Sequence, residues 1–163
     1  MISTLILALA LLGQPKPAEA FVPDEVRVDR VIDGDTIVVE DQTTHKLTIV
    51  RLVGVDTPET HKSHKSPTGI EPYGPEAAAY THDRLCGELV RLVPDSAAGD
   101  VDHYGRKIAY VYLGSECINE TLVKEGYAHL YSKYPFESAT RARFAICEME
   151  ARDAKRGLWG LEK

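Results

Sequence analysis

The sequence predicts an α+β domain, a small β-barrel with helices added, and three observations point to it. Five runs are rich in β-branched residues or alternate apolar with polar side chains. Three stretches of helix formers interrupt them, with residues suited to starting or stopping a helix. There is no internal repeat and no low-complexity tract.

The first strand is marked by Val26, Val28 and Arg30, which alternate with polar neighbours, and Asp33-Gly34-Asp35 turns the chain. Thr36 to Glu40 and Leu47 to Val55 are β-branched runs separated by the polar Asp41-Gln42-Thr43-Thr44, so these three strands read as a meander. Leu89 to Val93 and Lys107 to Leu113 supply two more. Pro75 fits the first turn of a helix through Ala77 to Leu85, and Gly87 closes it. Asn119 is placed to cap a short helix running to Gly126. Ser138 is placed to cap a longer one, with Ala142, Ile146 and Met149 on one face and Gly157 as its stop. The segment from His61 to Pro72 carries two His, two Lys, two Pro and a Gly, and reads as a loop.

The N-terminus is of a different kind. Ile2 to Leu12 is almost wholly apolar, and Ala18-Glu19-Ala20 follows Gly13, Pro15 and Pro17. That is the apolar region and cleavage signal of a secretory signal peptide over residues 1–20, although no Lys or Arg follows Met1. The apolar run is shorter than the ~20 residues that span a bilayer. Residues 21–163 then form one domain, with no membrane association after cleavage, and an extracytoplasmic (secreted or periplasmic) location is expected. The net charge is −6 with or without the leader. This is the wrong sign for a simple nucleic-acid binder, so any polyanion must be held by local cations, a metal among them. An oxidising compartment permits one disulfide among Cys86, Cys117 and Cys147, and spacing does not choose the pair.

Three clusters carry chemistry: Asp33-Gly34-Asp35-Thr36, the run Arg51 to Glu59, and Asp102-His103-Tyr104-Gly105-Arg106. Asp35, Asp56 and Glu59 are hard oxygen ligands that suit Ca²⁺ or Mg²⁺ rather than zinc. Taken alone, Asp-Gly-Asp is more often only a turn, and Asp56-Thr57-Pro58-Glu59 only a helix entry. Arg51 interrupts an apolar run, so its charge needs a partner: Asp56 or Glu59 on a structural reading, a phosphate on a functional one. Arg51 and Asp56 are five apart and would face opposite sides of a regular strand, so a shared site requires a bend, expected at Gly54. Phosphodiester hydrolysis needs a base for water, a cation at the phosphate and positive groups for the transition state. Glu59, a metal on Asp35 and Asp56, and the pair Arg51 and Arg106 meet that need. The six His are scattered, and no His, Ser or Cys forms a nucleophile arrangement.

With these residues assembled, the sequence resembles the staphylococcal nuclease (thermonuclease) family. The matching text is Val31 to Thr36, Arg51 to Glu59, Tyr73 to Ala77, Asp102 to Arg106 with Ala109 to Tyr112, and Asn119 to Val123, in order from about residue 26 to Trp159. The resemblance implies a five-stranded OB-type barrel with three helices. It implies a Ca²⁺ cofactor on Asp35, Asp56 and the carbonyl of Thr57, with Asp33 standing behind the ion. It makes Glu59 the water-activating carboxylate, Arg51 and Arg106 the phosphate arginines, and Tyr104 a neighbour of the nucleotide phosphate. The implied activity is endonuclease cleavage of DNA and RNA to 3′-phosphate ends, by a monomer with no stable protein partner. His103 stands where the family can carry a lysine, the His61–Pro72 loop is longer than in the type protein, and the cysteines are additions. The tyrosines of Tyr131 to Pro135 receive no role. The alternative is an OB-fold module that binds nucleic acid or protein without cutting; such relatives have lost carboxylates or arginines that are present here.

Overall fold

A computed structural model describes residues 25–61, 67 and 69–161. The signal peptide expected over residues 1–20 lies outside the described residues, as do residues 62–66 and 68 of the long loop. Five strands close a barrel: β1 (Glu25–Asp33), β2 (Thr36–Asp41), β3 (Leu47–Leu52), β5 (Leu89–Val93) and β6 (Lys107–Leu113). Two-residue strands are β4 (Val55–Asp56), β7 (Glu116–Cys117) and β8 (His129–Leu130). The helices are α1 (Gly74–Leu85), α2 (Ile118–Lys124) and α3 (Ser138–Asp153), followed by a 3₁₀ helix over Gly157–Gly160.

The expected meander β1-β2-β3 is antiparallel throughout. β5 pairs with β1 and β6, and a parallel pairing of β3 with β6 shuts the barrel. Closure leaves no long open edge between these strands. The period-two pattern sends Val28, Ile37, Val39, Val50, Leu52, Val90, Ala109 and Val111 into one core, each at most 2% exposed. Two irregularities in β1, between Val28 and Arg30 and between Val31 and Asp33, bend the strand toward the turn that carries Asp35. That turn is held from outside the barrel by α1, where the Thr81 hydroxyl donates to the Gly34 carbonyl at 2.7 Å. Gly34 cannot be enlarged: a Cβ there would stand 2.8 Å from Thr57 Cγ2 and 3.1 Å from Ala77 Cβ.

The run from Leu47 to Val55 is not one strand. β3 stops at Leu52, Val53-Gly54 turns, and β4 begins at Val55. Gly54 has φ +76° and its missing Cβ leaves room for the Phe136 ring, which would otherwise stand 3.0 Å away. The expected bend is therefore a tight turn.

Four helix expectations need correction. Ser138 does not cap α3; it is the first helical residue, and Glu137 stands at the N-cap with no side-chain cap bond. Asn119 does not cap α2; it is fully buried inside the helix, and its amide accepts from Val111 N at 2.9 Å and donates to Val53 O at 2.9 Å. α2 is thus tied to β6 and to the turn after β3. Ile146 and Met149 do not face the core, being 54% and 56% exposed; α3 buries Thr140, Phe144, Cys147 and Ala151 instead. Both stripes have helical spacing, and the larger Phe144 wins by packing on Tyr110 and Phe136. α3 ends at Asp153, before Gly157, which opens the 3₁₀ helix that docks on Gly126 through a Leu158 N–H to Gly126 O bond of 2.9 Å. All three cysteines are free thiols, Cys86 exposed and Cys117 and Cys147 buried, and burial pushes the latter two pKa values up.

Candidate active site

Antiparallel pairing of β2 with β3 sets Thr36 opposite Arg51, and so places Asp35 beside the root of that arginine. The turn at Gly54 then folds Asp56 back toward the same guanidinium. Arg51 is 9% exposed and bridges both carboxylates, with Nη1 to Asp35 Oδ2 at 2.8 Å and Nη2 to Asp56 Oδ1 at 3.0 Å. Asp35 also accepts from the Thr36 hydroxyl at 2.9 Å and from Thr57 N at 3.0 Å. The structural reading of Arg51 holds, with Asp35 as a partner beside Asp56: it is buried because it is paired. A buried guanidinium left with too few partners costs about 3–5 kcal/mol, so the group is locked in place.

Glu59 and Asp33 form an adjoining corner. A reciprocal contact fixes the Glu59 backbone: Glu71 N donates to Glu59 O at 2.9 Å, and Glu59 N donates to Glu71 Oε2 at 3.1 Å. Asp33, 8% exposed, accepts from the Thr60 hydroxyl and from Thr60 N at 3.3 Å, and its Oδ1 stands 3.3 Å from His61 Nδ1.

The third cluster is a loop clamp. Asp102 Oδ1 accepts from Tyr104 N at 2.9 Å and Arg106 N at 3.0 Å. Its Oδ2 takes Arg106 Nε and Nη2, both at 2.7 Å. Burial alone would raise the Asp102 pKa, but the hydrogen bonds and charge of Arg106 outweigh it and hold the carboxyl below its ordinary value. Arg106 lies under the Tyr104 ring at 5.3 Å, and His103 meets the same ring at 3.8 Å.

Arg51, Tyr104 and Arg106 line one cleft of about 360 Å³, together with Tyr131, Tyr134 and Phe136. Asp35, Asp56, Thr57 and Glu59 are not among its lining residues; Arg51 lies between the two acids and the cleft. Tyr131 and Tyr134, which received no role from the sequence, line this cleft. Their signal was weak but present: aromatic rings alternate with Lys133, a pattern suited to holding single-stranded nucleic acid. Tyr131 lies 5.9 Å from the Arg51 guanidinium.

The donor set fits a hard divalent cation. Asp35 and Asp56 share the one buried Arg51, and Asp33 and Glu59 stand together in the adjoining corner, so negative charge is in excess and every acid offers oxygen. The Thr57 hydroxyl is buried with no partner among the described residues, a polar atom at the place where the ion is expected.

A family model described as staphylococcal nuclease homologue matches residues 49–160. This chain belongs to the staphylococcal nuclease family. It is 41% identical over 133 residues to the thermonuclease of Staphylococcus hyicus, covering 82% of this chain and 74% of that protein. The thermonuclease of Staphylococcus intermedius is 40% identical over 132 residues, covering 81% and 74% respectively. Endonuclease YncB of Bacillus subtilis is 37% identical over 135 residues, 82% of this chain and 61% of that protein. Family membership makes the chain a nuclease, an enzyme that hydrolyses phosphodiester bonds. The closed five-stranded barrel with three helices is the OB-type architecture the resemblance implied. The matched segment begins in β3, so Asp33 and Asp35 lie upstream of it; β2–β3 pairing brings Asp35 to Arg51, and Asp33 meets Thr60 and His61 through its side chain. No helix among the described residues is long and apolar enough to cross a membrane.

Proposed function

We propose that this chain is a secreted, calcium-dependent nuclease that cuts both DNA and RNA to leave 3′-phosphate ends, with residues 1–20 as its signal peptide. The observation that carries the reading is the position of Arg51: its guanidinium joins Asp35 and Asp56 behind it and lines the cleft shared with Arg106 and Tyr104. The side chains of Asp35 and Asp56 with the Thr57 carbonyl would hold Ca²⁺, and Asp33 would stand behind it. The bound ion would draw charge from a phosphate oxygen.

Glu59 takes a proton from water, and the water oxygen attacks phosphorus in line with the bond to the 5′-oxygen. That bond breaks, the 5′-oxygen leaves and picks up a proton from solvent, and the phosphate stays on the 3′ side. Arg51 and Arg106 bind the phosphate oxygens on which charge builds up. Asp102 presents Arg106 by holding its Nε and Nη2, and Nη1 has no partner among the described residues. Tyr104 flanks the phosphate, and Tyr131 and Tyr134 offer flat faces to neighbouring bases. With a net charge of −6, capture of the polyanion relies on these local cations and on the ion. Digestion of DNA and RNA in calcium and in chelator, followed by end-group analysis, tests the reading. Cutting that persists in chelator, or 5′-phosphate products, would contradict it.

A further inference from the structure

His61 plays no part in this chemistry, yet it is brought against the acidic corner. One ligand atom each from Asp33, Glu59 and His61 lie within 4.8 Å of one another. Asp33 Oδ1 and His61 Nδ1 are 3.3 Å apart, and two ligands of a tetrahedral zinc ion, each at about 2.0 Å, are separated by about 3.3 Å. Asp33 is buried, and its one basic neighbour among the described residues is this imidazole. A buried carboxylate gains from a dication that offsets its charge. Asp33 and Glu59 supply two negative charges. The backbone of Glu59 is fixed by Glu71, whereas the His61 side chain is 54% exposed and touches Asp33 and the Thr60 hydroxyl, so a rotation of its ring would close the remaining distance.

We propose that Asp33, Glu59 and His61 form a second metal site, distinct from the calcium ligands Asp35, Asp56 and Thr57, that takes an imidazole-preferring ion of the Zn²⁺ class and inhibits the nuclease when filled. Selectivity follows from the donor set. Calcium takes oxygen, while one nitrogen with two carboxylates suits zinc, and water completes its four-coordinate shell. Inhibition rests on the role proposed above for Glu59: a carboxylate bound to zinc no longer takes a proton from water. The binding itself does not rest on that role.

The test is calorimetric titration of Zn²⁺ into the mature chain at saturating Ca²⁺, comparing wild type, His61→Ala and Asp35→Asn, with cleavage assays on wild type and His61→Ala over the same zinc range. Wild type should bind one zinc ion that His61→Ala binds at least ~10-fold more weakly, since loss of a ligand costs no less than loss of its supporting shell. Asp35→Asn should keep the zinc site. His61→Ala should cut normally in calcium and need at least ~10-fold more zinc for half-inhibition. Equal zinc affinity in wild type and His61→Ala overturns the proposal, as does zinc binding that disappears in Asp35→Asn and survives in His61→Ala. If neither protein cuts in calcium while zinc binding still depends on His61, the site stands and the nuclease reading of Glu59 falls.

Discussion

Asp35 and Asp95 are buried to the same degree, 6% and 5% exposed, yet the chain handles their charges in opposite ways. Asp95 sits after β5 and accepts four hydrogen bonds from neutral donors. Its Oδ1 takes Ala97 N and Ala98 N at 2.8 and 2.9 Å, and its Oδ2 takes the Tyr110 hydroxyl and Glu137 N at 2.6 and 3.0 Å. Those donors come from its own turn, from β6 and from the entry to α3, so Asp95 is a joint between barrel and helix. Burial works against its charge, but the four donors prevail and its pKa is lowered. Asp35 also accepts from Thr36 and Thr57, but it shares the one Arg51 cation with Asp56, so the two acids together keep a negative charge. A carboxylate saturated by dipoles holds the fold together. One left in a surplus of negative charge is suited to taking part in an ion site.

The two regions should therefore respond differently to substitution. The largest effect is expected at the acidic end. Glu59→Gln keeps the shape and removes the proposed base, so single-turnover cleavage should fall by ~10²–10⁴ with little change in calcium affinity or urea midpoint. Near wild-type cutting at saturating calcium would remove Glu59 from its role.

Next come the arginines. Neutralising Arg51 or Arg106 singly should each cost ~10²–10³ in rate, and the double variant should lose less than the product of the two. Arg51 should also lower stability, because Asp35 and Asp56 lose their shared cation. Arg106, on the more exposed loop, should leave the urea midpoint nearly unchanged, which separates a buried clamp from a presented one.

A smaller effect, and the direct test of the comparison, is the pair Asp95→Asn and Asp35→Asn. The first turns an amide N–H₂ or a weaker acceptor toward donors that need an anion, and should cost about 2–3 kcal/mol in urea unfolding while the folded fraction keeps its cleavage rate. The second should weaken calcium binding and recover some activity at high calcium. If Asp95→Asn impairs cutting more than folding, the division into joint and ion site is wrong.

The smallest effect is on pH dependence. Asp95 and Asp102 have folded pKa values below the ordinary carboxylate value, so the stability they contribute is present above that value and is lost as pH falls through the lower folded ones. Tyr110 is shifted the other way: burial, then donation to Asp95, raises its pKa well above an ordinary phenol. Its contribution is complete below the ordinary phenol value and is lost as pH rises toward the raised one. Asp95→Asn should flatten both limbs of a melting temperature against pH curve relative to wild type.

The site was more legible than its surroundings. Arg51 announced itself as a charge in an apolar run, and the parity conflict with Asp56 required a bend near Gly54, where a turn is found. Asn119 and α3 misled for a shared reason. An Asn ahead of a helix pattern, or two apolar stripes on one helix, has several uses of similar local energy, and long-range partners choose among them. Val111 and Val53 claim Asn119, and Phe136 and Tyr110 claim Phe144. His61 looked like one of six scattered histidines because its neighbour Asp33 is 28 positions earlier in the chain.

By itself, the sequence determined the element types, the barrel's alternating core and the acid and arginine inventory. Side-chain period, turn chemistry and unpaired charge in apolar runs are local properties that survive without a fold. Only the tertiary structure decided which groups meet. The β2–β3 register put Asp35 beside Arg51, the Gly54 turn returned Asp56 to it, and barrel closure brought Arg106 and Tyr131, both far downstream of Arg51 in sequence, into one cleft with it. Such meetings depend on contacts between residues tens of positions apart, and the free energy that selects them comes from burying the whole core at once.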